Sequence, residues 1–147
     1  MGTMKTTRTT GAGSASAELI PVRLEFDGGS RGNPGPGYGS YRLTINGQPQ
    51  VVRRVELGPH VTNNEAEYDT LLRALEELLR RVRDPRRIRL AIIGDSELLI
   101  KQLRGEYRVR APGLQPRAAR ARELLERFGA WEAHWRARQG SVDLFGH

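Results

Sequence analysis

From Ile20 to Phe26 apolar and polar positions alternate, with Ile20, Val22, Leu24 and Phe26 set between Pro21, Arg23 and Glu25. A period of two is that of a half-buried strand. The strand is expected to end by delivering Asp27 to a loop rich in Gly and Pro, from Gly28 to Gly37. Tyr41, Leu43 and Ile45 alternate again, Asn46-Gly47 is a hairpin turn signal, and Val51, Val52, Val55 and Leu57 continue as a third antiparallel strand. Thr62 and Glu65 then have capping-box spacing. The stripe Tyr68, Leu71, Leu72, Leu75, Leu78, Leu79 and Val82 follows at helical period, and Pro85 ends that helix. Ile88, Leu90, Ala91, Ile92 and Ile93 form a short apolar run, typical of a buried central strand, which stops at Gly94-Asp95-Ser96. Glu97 to Leu103 reads as a short helix. An Arg-rich helix with an apolar face of Leu114, Ala118, Ala121, Leu124, Leu125 and Phe128 comes next, then a last strand at Trp131, Ala133 and Trp135. The stretch 136–147 is too short for a further full helix, although Val142, Leu144 and Phe145 can pack. The expected class is α/β.

Composition narrows the setting. At 147 residues the chain is expected to form one domain, 19–147, after a disordered tail at 1–18 rich in Thr, Gly, Ala and Ser. That opening segment has no apolar core and so does not read as a secretory signal. The chain has no Cys, so any metal must be held by carboxylates or His, and a reducing, cytoplasmic setting is expected. No apolar run approaches the roughly 18 residues of a membrane span. The formal net charge is +7 and nearly all the cations are Arg. Arg grips phosphate through a bidentate fork, so the expected partner is nucleic acid. A structural RNA-binding protein would carry the same charge balance.

Three acids stand out against this background. Two strands each deliver an Asp to their end, Asp27 and Asp95, and Glu67 borders the apolar stripe in the first turn of a helix. If the strands are neighbours, the three can converge on one ion. Taken singly each has a plainer reading: Asp27 as a turn residue, Glu67 as a complement to the helix dipole.

The motifs Asp27-Gly-Gly-Ser-Arg-Gly-Asn-Pro-Gly-Pro-Gly, Thr62-Asn-Asn-Glu-Ala-Glu67-Tyr and Gly94-Asp95-Ser96 occur in that order. In this the chain resembles type 1 ribonuclease H, in particular the archaeal-like prokaryotic branch, as does Gln102-Leu-Arg-Gly-Glu-Tyr-Arg-Val-Arg. The resemblance runs from Val22 to Trp135. It implies a ribonuclease H-like α/β fold: a mixed five-stranded sheet, three antiparallel strands then parallel ones, flanked by helices, with the final helix short or missing here. It also implies hydrolysis of the RNA strand of RNA–DNA hybrids with two Mg²⁺ ions, Mn²⁺ being a possible substitute, to leave 5′-phosphate and 3′-hydroxyl ends. Asp27, Glu67 and Asp95 match three of the family's four metal-binding acids, and hard Mg²⁺ suits clustered carboxylates.

For the fourth acid the candidate is Asp143, nine residues beyond His134; the alternative is an ordinary turn at Ser141-Val142-Asp143 with His134 or His147 as substitute ligand. The same two His residues are candidates for a product-release role. Gly28, Asn33, Asn63 and Asn64 match positions that contact substrate, where the 2′-hydroxyl distinguishes RNA. Arg104 and Arg108 are expected on phosphates, and Glu97 stands where many members carry a substrate-touching Gln. The expected agent is a monomer that needs no membrane. The alternative is a catalytically weak hybrid-binding module of the same fold.

Overall fold

The computed structural model describes residues 8–9 and 18–137. Its strands are β1 (Arg8–Thr9), β2 (Ile20–Ser30), β3 (Gly35–Ile45), β4 (Gln48–Val61), β5 (Ile88–Gly94) and β6 (Ala130–Trp135). Its helices are α1 (Asn63–Arg81), α2 (Glu97–Leu103) and α3 (Gln115–Leu125). The strands form one sheet in the order β1-β6-β5-β2-β3-β4. The hairpins β2–β3 and β3–β4 are antiparallel, while β5 lies parallel to both β2 and β6. Five of these strands make the expected mixed sheet. The sixth, β1, lies within the expected tail and pairs antiparallel with β6. Without it β6 would present an open edge of backbone donors and acceptors, which readily recruits a further strand.

Register explains the single core. Val22, Leu24 and Phe26 stand opposite Ile45, Leu43 and Tyr41 on β3, Val22 and Leu24 stand beside Leu90 and Ile92 on β5, and these adjoin Trp131 and Ala133 on β6. That face is covered by helices. Leu71, Leu75 and Leu78 of α1 have no exposed surface, and Ile100, Leu124 and Phe128 join the same cluster. Each large side chain so buried contributes about 1.5–3 kcal/mol. Helix α1 begins at the expected capping box: Thr62 Oγ1 accepts from Glu65 N at 3.1 Å and Glu65 Oε1 accepts from Thr62 N at 3.0 Å. Among the described residues no helix is long and apolar enough to cross a membrane.

Two boundaries differ from expectation. Strand β2 does not stop at Asp27 but runs on through Gly28 and Gly29 to Ser30, and β3 starts at Gly35, so the turn is only 31–34. The glycines are strand residues because α1 lies directly on them. A Cβ at Gly28 would sit 2.8 Å from the Ala66 carbonyl oxygen, and one at its cross-strand partner Gly39 would overlap Thr70. Likewise β4 extends to Val61, beyond the apolar positions that end at Leu57. The expected short or missing final helix falls outside the described residues.

Candidate active site

Asp27, Glu67 and Asp95 reach one point by three routes. Asp27 lies inside β2, on the sheet face opposite the core, directly across from Ser40 of β3. Glu67 comes from the first helical turns of α1, which rests on the glycine pair. Asp95 follows the last residue of β5, the parallel neighbour of β2. A carboxylate oxygen of each lies within 4.8 Å of the others, with Asp27 and Glu67 buried and Asp95 half-buried. Three carboxylates so close favour a bound cation, and a hard divalent ion with oxygen ligands matches the donor set.

The backbone of Asp95 is pinned from β6. Trp135 Nε1 donates to the Asp95 carbonyl at 3.2 Å, and Arg136 N donates to the Gly94 carbonyl at 2.8 Å. The Arg136 side chain then crosses to Glu25, two residues before Asp27, at 3.0 Å. Arg23 approaches the same Glu25 oxygen at 3.6 Å. Local periodicity carried no signal for Glu25, Trp135 or Arg136 in this role, because each partner is distant in the chain.

The polar residues at the turn and the helix start hold one another. Asn33 Oδ1 accepts from Asn63 N at 2.9 Å, and Asn63 Oδ1 accepts from Ser30 N at 2.8 Å. This stitches the 31–34 turn to α1. Asn64 is exposed beside them, and a cavity of about 380 Å³ opens between Asn33, Thr62, Asn64 and the loop at Ala111 and Gly113. Gly28 is buried beneath α1, where its missing side chain serves packing.

The Arg-rich segment is largely occupied with the protein itself. Arg117 grips Asp69 with Nε–Oδ1 at 2.8 Å and donates to the Gly113 carbonyl at 2.6 Å, tying α3 and its preceding loop to α1. Arg122 donates to the Gln102 carbonyl at 2.8 Å. Arg104 is drawn inward, its side chain only 9% exposed and paired with Glu106 at 2.8 Å. Arg108 is exposed, as a phosphate ligand requires. Glu97 pairs with Lys101 at 3.1 Å.

His134 sits on β6 with Nε2 3.1 Å from Glu132 Oε2, and among the described residues it is not part of the acid group. Asp143 and His147 lie outside the described residues.

A family model described as reverse transcriptase-like matches residues 25–142. Ribonuclease HI of Halobacterium salinarum is 40% identical over 110 residues, 75% of this chain and 53% of that protein. The crystal structure of RNase H1 from the same halophilic archaeon matches with a TM-score of 0.74 at 37% identity, covering 82% of this chain and 88% of that one. LC11-RNase H1, solved in complex with an RNA/DNA hybrid, matches with a TM-score of 0.74 at 30% identity, covering 83% and 89%. The chain spans about a third to a half of the length of the curated relatives it matches.

Proposed function

Since the chain belongs to the type 1 ribonuclease H family, we propose that it hydrolyses the RNA strand of RNA–DNA hybrids, leaving 5′-phosphate and 3′-hydroxyl ends. The observation that carries this reading is the convergence of Asp27, Glu67 and Asp95 within 4.8 Å. The all-oxygen, anionic donor set fits Mg²⁺, with Mn²⁺ as substitute, and these three residues would hold it. A pair of such ions, when bound, supplies Lewis acidity that lowers the pKa of an attacking water and stabilises the leaving oxygen. Asp143 is the fourth acid in this proposal, on sequence grounds.

The chain's own residues supply the rest. Buried Asp27 and Glu67 hold their carboxylates in place without solvent reorganisation, and Trp135 and Arg136 restrain the backbone that carries Asp95. Asn33, Asn63 and Asn64 line the approach at the helix start, where hydrogen bonds to a 2′-hydroxyl select RNA. Arg108 offers a solvent-facing guanidinium to backbone phosphate. The protein acts in the cytoplasm as a monomer with the hybrid as its partner.

The test is cleavage of an end-labelled RNA–DNA hybrid in Mg²⁺, with EDTA and Asp95→Asn controls. Cutting of the RNA strand, abolished by either control, is the expected result. Tight hybrid binding with no cutting in Mg²⁺ or Mn²⁺ would overturn the proposal in favour of a binding module.

A further inference from the structure

On the sheet face away from α1, a second cavity of about 370 Å³ opens beside Asp27. Two cross-strand rows build it. Asp27, Ser40 and Arg54 stand side by side across β2, β3 and β4, and Gly29, Tyr38 and Glu56 form the next row. Residues directly opposite in a sheet share a face, as do residues two apart in one strand, so both rows face the same way. The Tyr38 hydroxyl lies over Gly29, where a Cβ would be 2.6 Å away, so only glycine leaves the ring its place. Arg31, at the turn, stacks on that ring 4.9 Å from its centroid. The result is two guanidiniums at one opening, Arg31 held by an aromatic face and Arg54 rising from β4.

The neighbouring Arg53 sets Arg54 apart. Arg53 points to the core face and is clamped by buried Glu77 at 2.9 Å. Among the described residues neither Arg54 nor Arg31 forms an ion pair within 4 Å, and both are exposed. Glu56 on the rim and Asp27 in the wall are the anions nearby, and Asp27 belongs to the acid group that a divalent cation would neutralise.

We propose that Arg31 and Arg54 bind the phosphodiester adjacent to the scissile one on the strand being cut, with Tyr38 as a positioning residue for Arg31. The inference rests on the hybrid-cleaving reading above. Asp27 is common to the acid group and to this cavity, so a strand with one phosphate at the acids brings its neighbouring phosphate here. The opposite strand lies across a groove. Two forked guanidiniums suit a phosphate with two free oxygens, and the buried Ser40 marks the floor.

The test measures hybrid binding by fluorescence anisotropy in an Asp95→Asn background, from about 50 to about 200 mM salt. Replacing both Arg31 and Arg54 by Ala is expected to weaken binding about tenfold or more and to flatten the log K against log salt slope by about 1, because the two guanidiniums neutralise a single phosphate. Tyr38→Ala should reproduce the Arg31→Ala effect, while Tyr38→Phe, which keeps the ring face, should not. A methylphosphonate beside the scissile position in the RNA strand should weaken the Arg-containing protein and leave the double variant unaffected. An unchanged slope in the double variant, where the native chain binds and cuts hybrid, would overturn this subsite alone. Sensitivity confined to DNA-strand methylphosphonates would overturn the strand assignment. A native chain that neither binds nor cuts hybrid would overturn the parent reading and the subsite with it.

Discussion

Replacing Asp95 by Asn removes one charge from a group of three while keeping the side chain's size. Two unit charges 4.8 Å apart, the outer limit of the separations here, repel by about 3.5 kcal/mol at an effective dielectric of about 20. Asp95 faces two such partners, but it is only half-buried, and solvent and local hydrogen bonds offset much of the repulsion. A net relief of about 1–2 kcal/mol remains. For a domain of this size that corresponds to a rise of about 3–6 °C in Tm. The assay is thermal unfolding followed by circular dichroism, first in EDTA and then in Mg²⁺. In EDTA the Asp95→Asn protein should melt higher than the native chain, even as its hybrid cleavage is expected to be lost. With Mg²⁺ at about ten times its Kd the native chain should gain about 1.4 kcal/mol by mass action, and the variant much less. An Asp95→Asn protein that melts lower in EDTA would refute the reasoning, since the carboxylate would then be held by favourable partners and not strained by its neighbours.

A second test concerns Glu77, buried between β3, β4 and α1. The Arg53 guanidinium first, then the Tyr41 hydroxyl and Arg81, hold its carboxyl down to about 2 from an ordinary 4.5 against the opposing effect of burial. Because the folded value is the lower one, this stabilisation is present above about pH 4.5 and is lost as pH falls towards 2. The shift corresponds to at most about 3 kcal/mol, and to about 2 once the half-exposed guanidiniums are allowed for. Urea unfolding should therefore show Glu77→Gln about 2 kcal/mol less stable near neutral pH, with the gap closing in acid; a pH-independent gap would contradict the assignment. Tyr41, pushed up to about 12 mainly by burial and then by its bond to Glu77, adds stability below pH 10 that is lost as pH rises through 12. A third test is Gly28→Ala. The added methyl meets the Ala66 carbonyl at 2.8 Å, and α1 must shift with the adjacent Glu67, at a cost of about 1–3 kcal/mol. Hybrid-cleavage kcat should fall more than KM rises, and wild-type kcat in Gly28→Ala would show that α1 tolerates the change.

Much of this molecule was legible in its sequence because the deciding forces there are local. The period of two from Ile20 to Phe26, the capping box at Thr62 and Glu65, and the apolar run from Ile88 to Ile93 each depend on residues within a turn or a strand of one another. Their elements form where expected. The order of three acid-bearing motifs also pointed to Asp27, Glu67 and Asp95, and the fold brings those three together. Only tertiary structure decided what lies between them. The glycines after Asp27 belong to strands because a helix from later in the chain presses on them, which no local pattern records. Arg53 and Arg54 are adjacent in sequence, yet the pleat turns one to Glu77 and leaves the other beside the acids. Arg104, Arg117 and Arg122 read alike as a basic run, but Arg117 and Arg122 are committed to partners on other elements while Arg104 pairs with nearby Glu106. Composition fixes how many charges there are, whereas cross-strand register and helix docking determine which of them face a ligand.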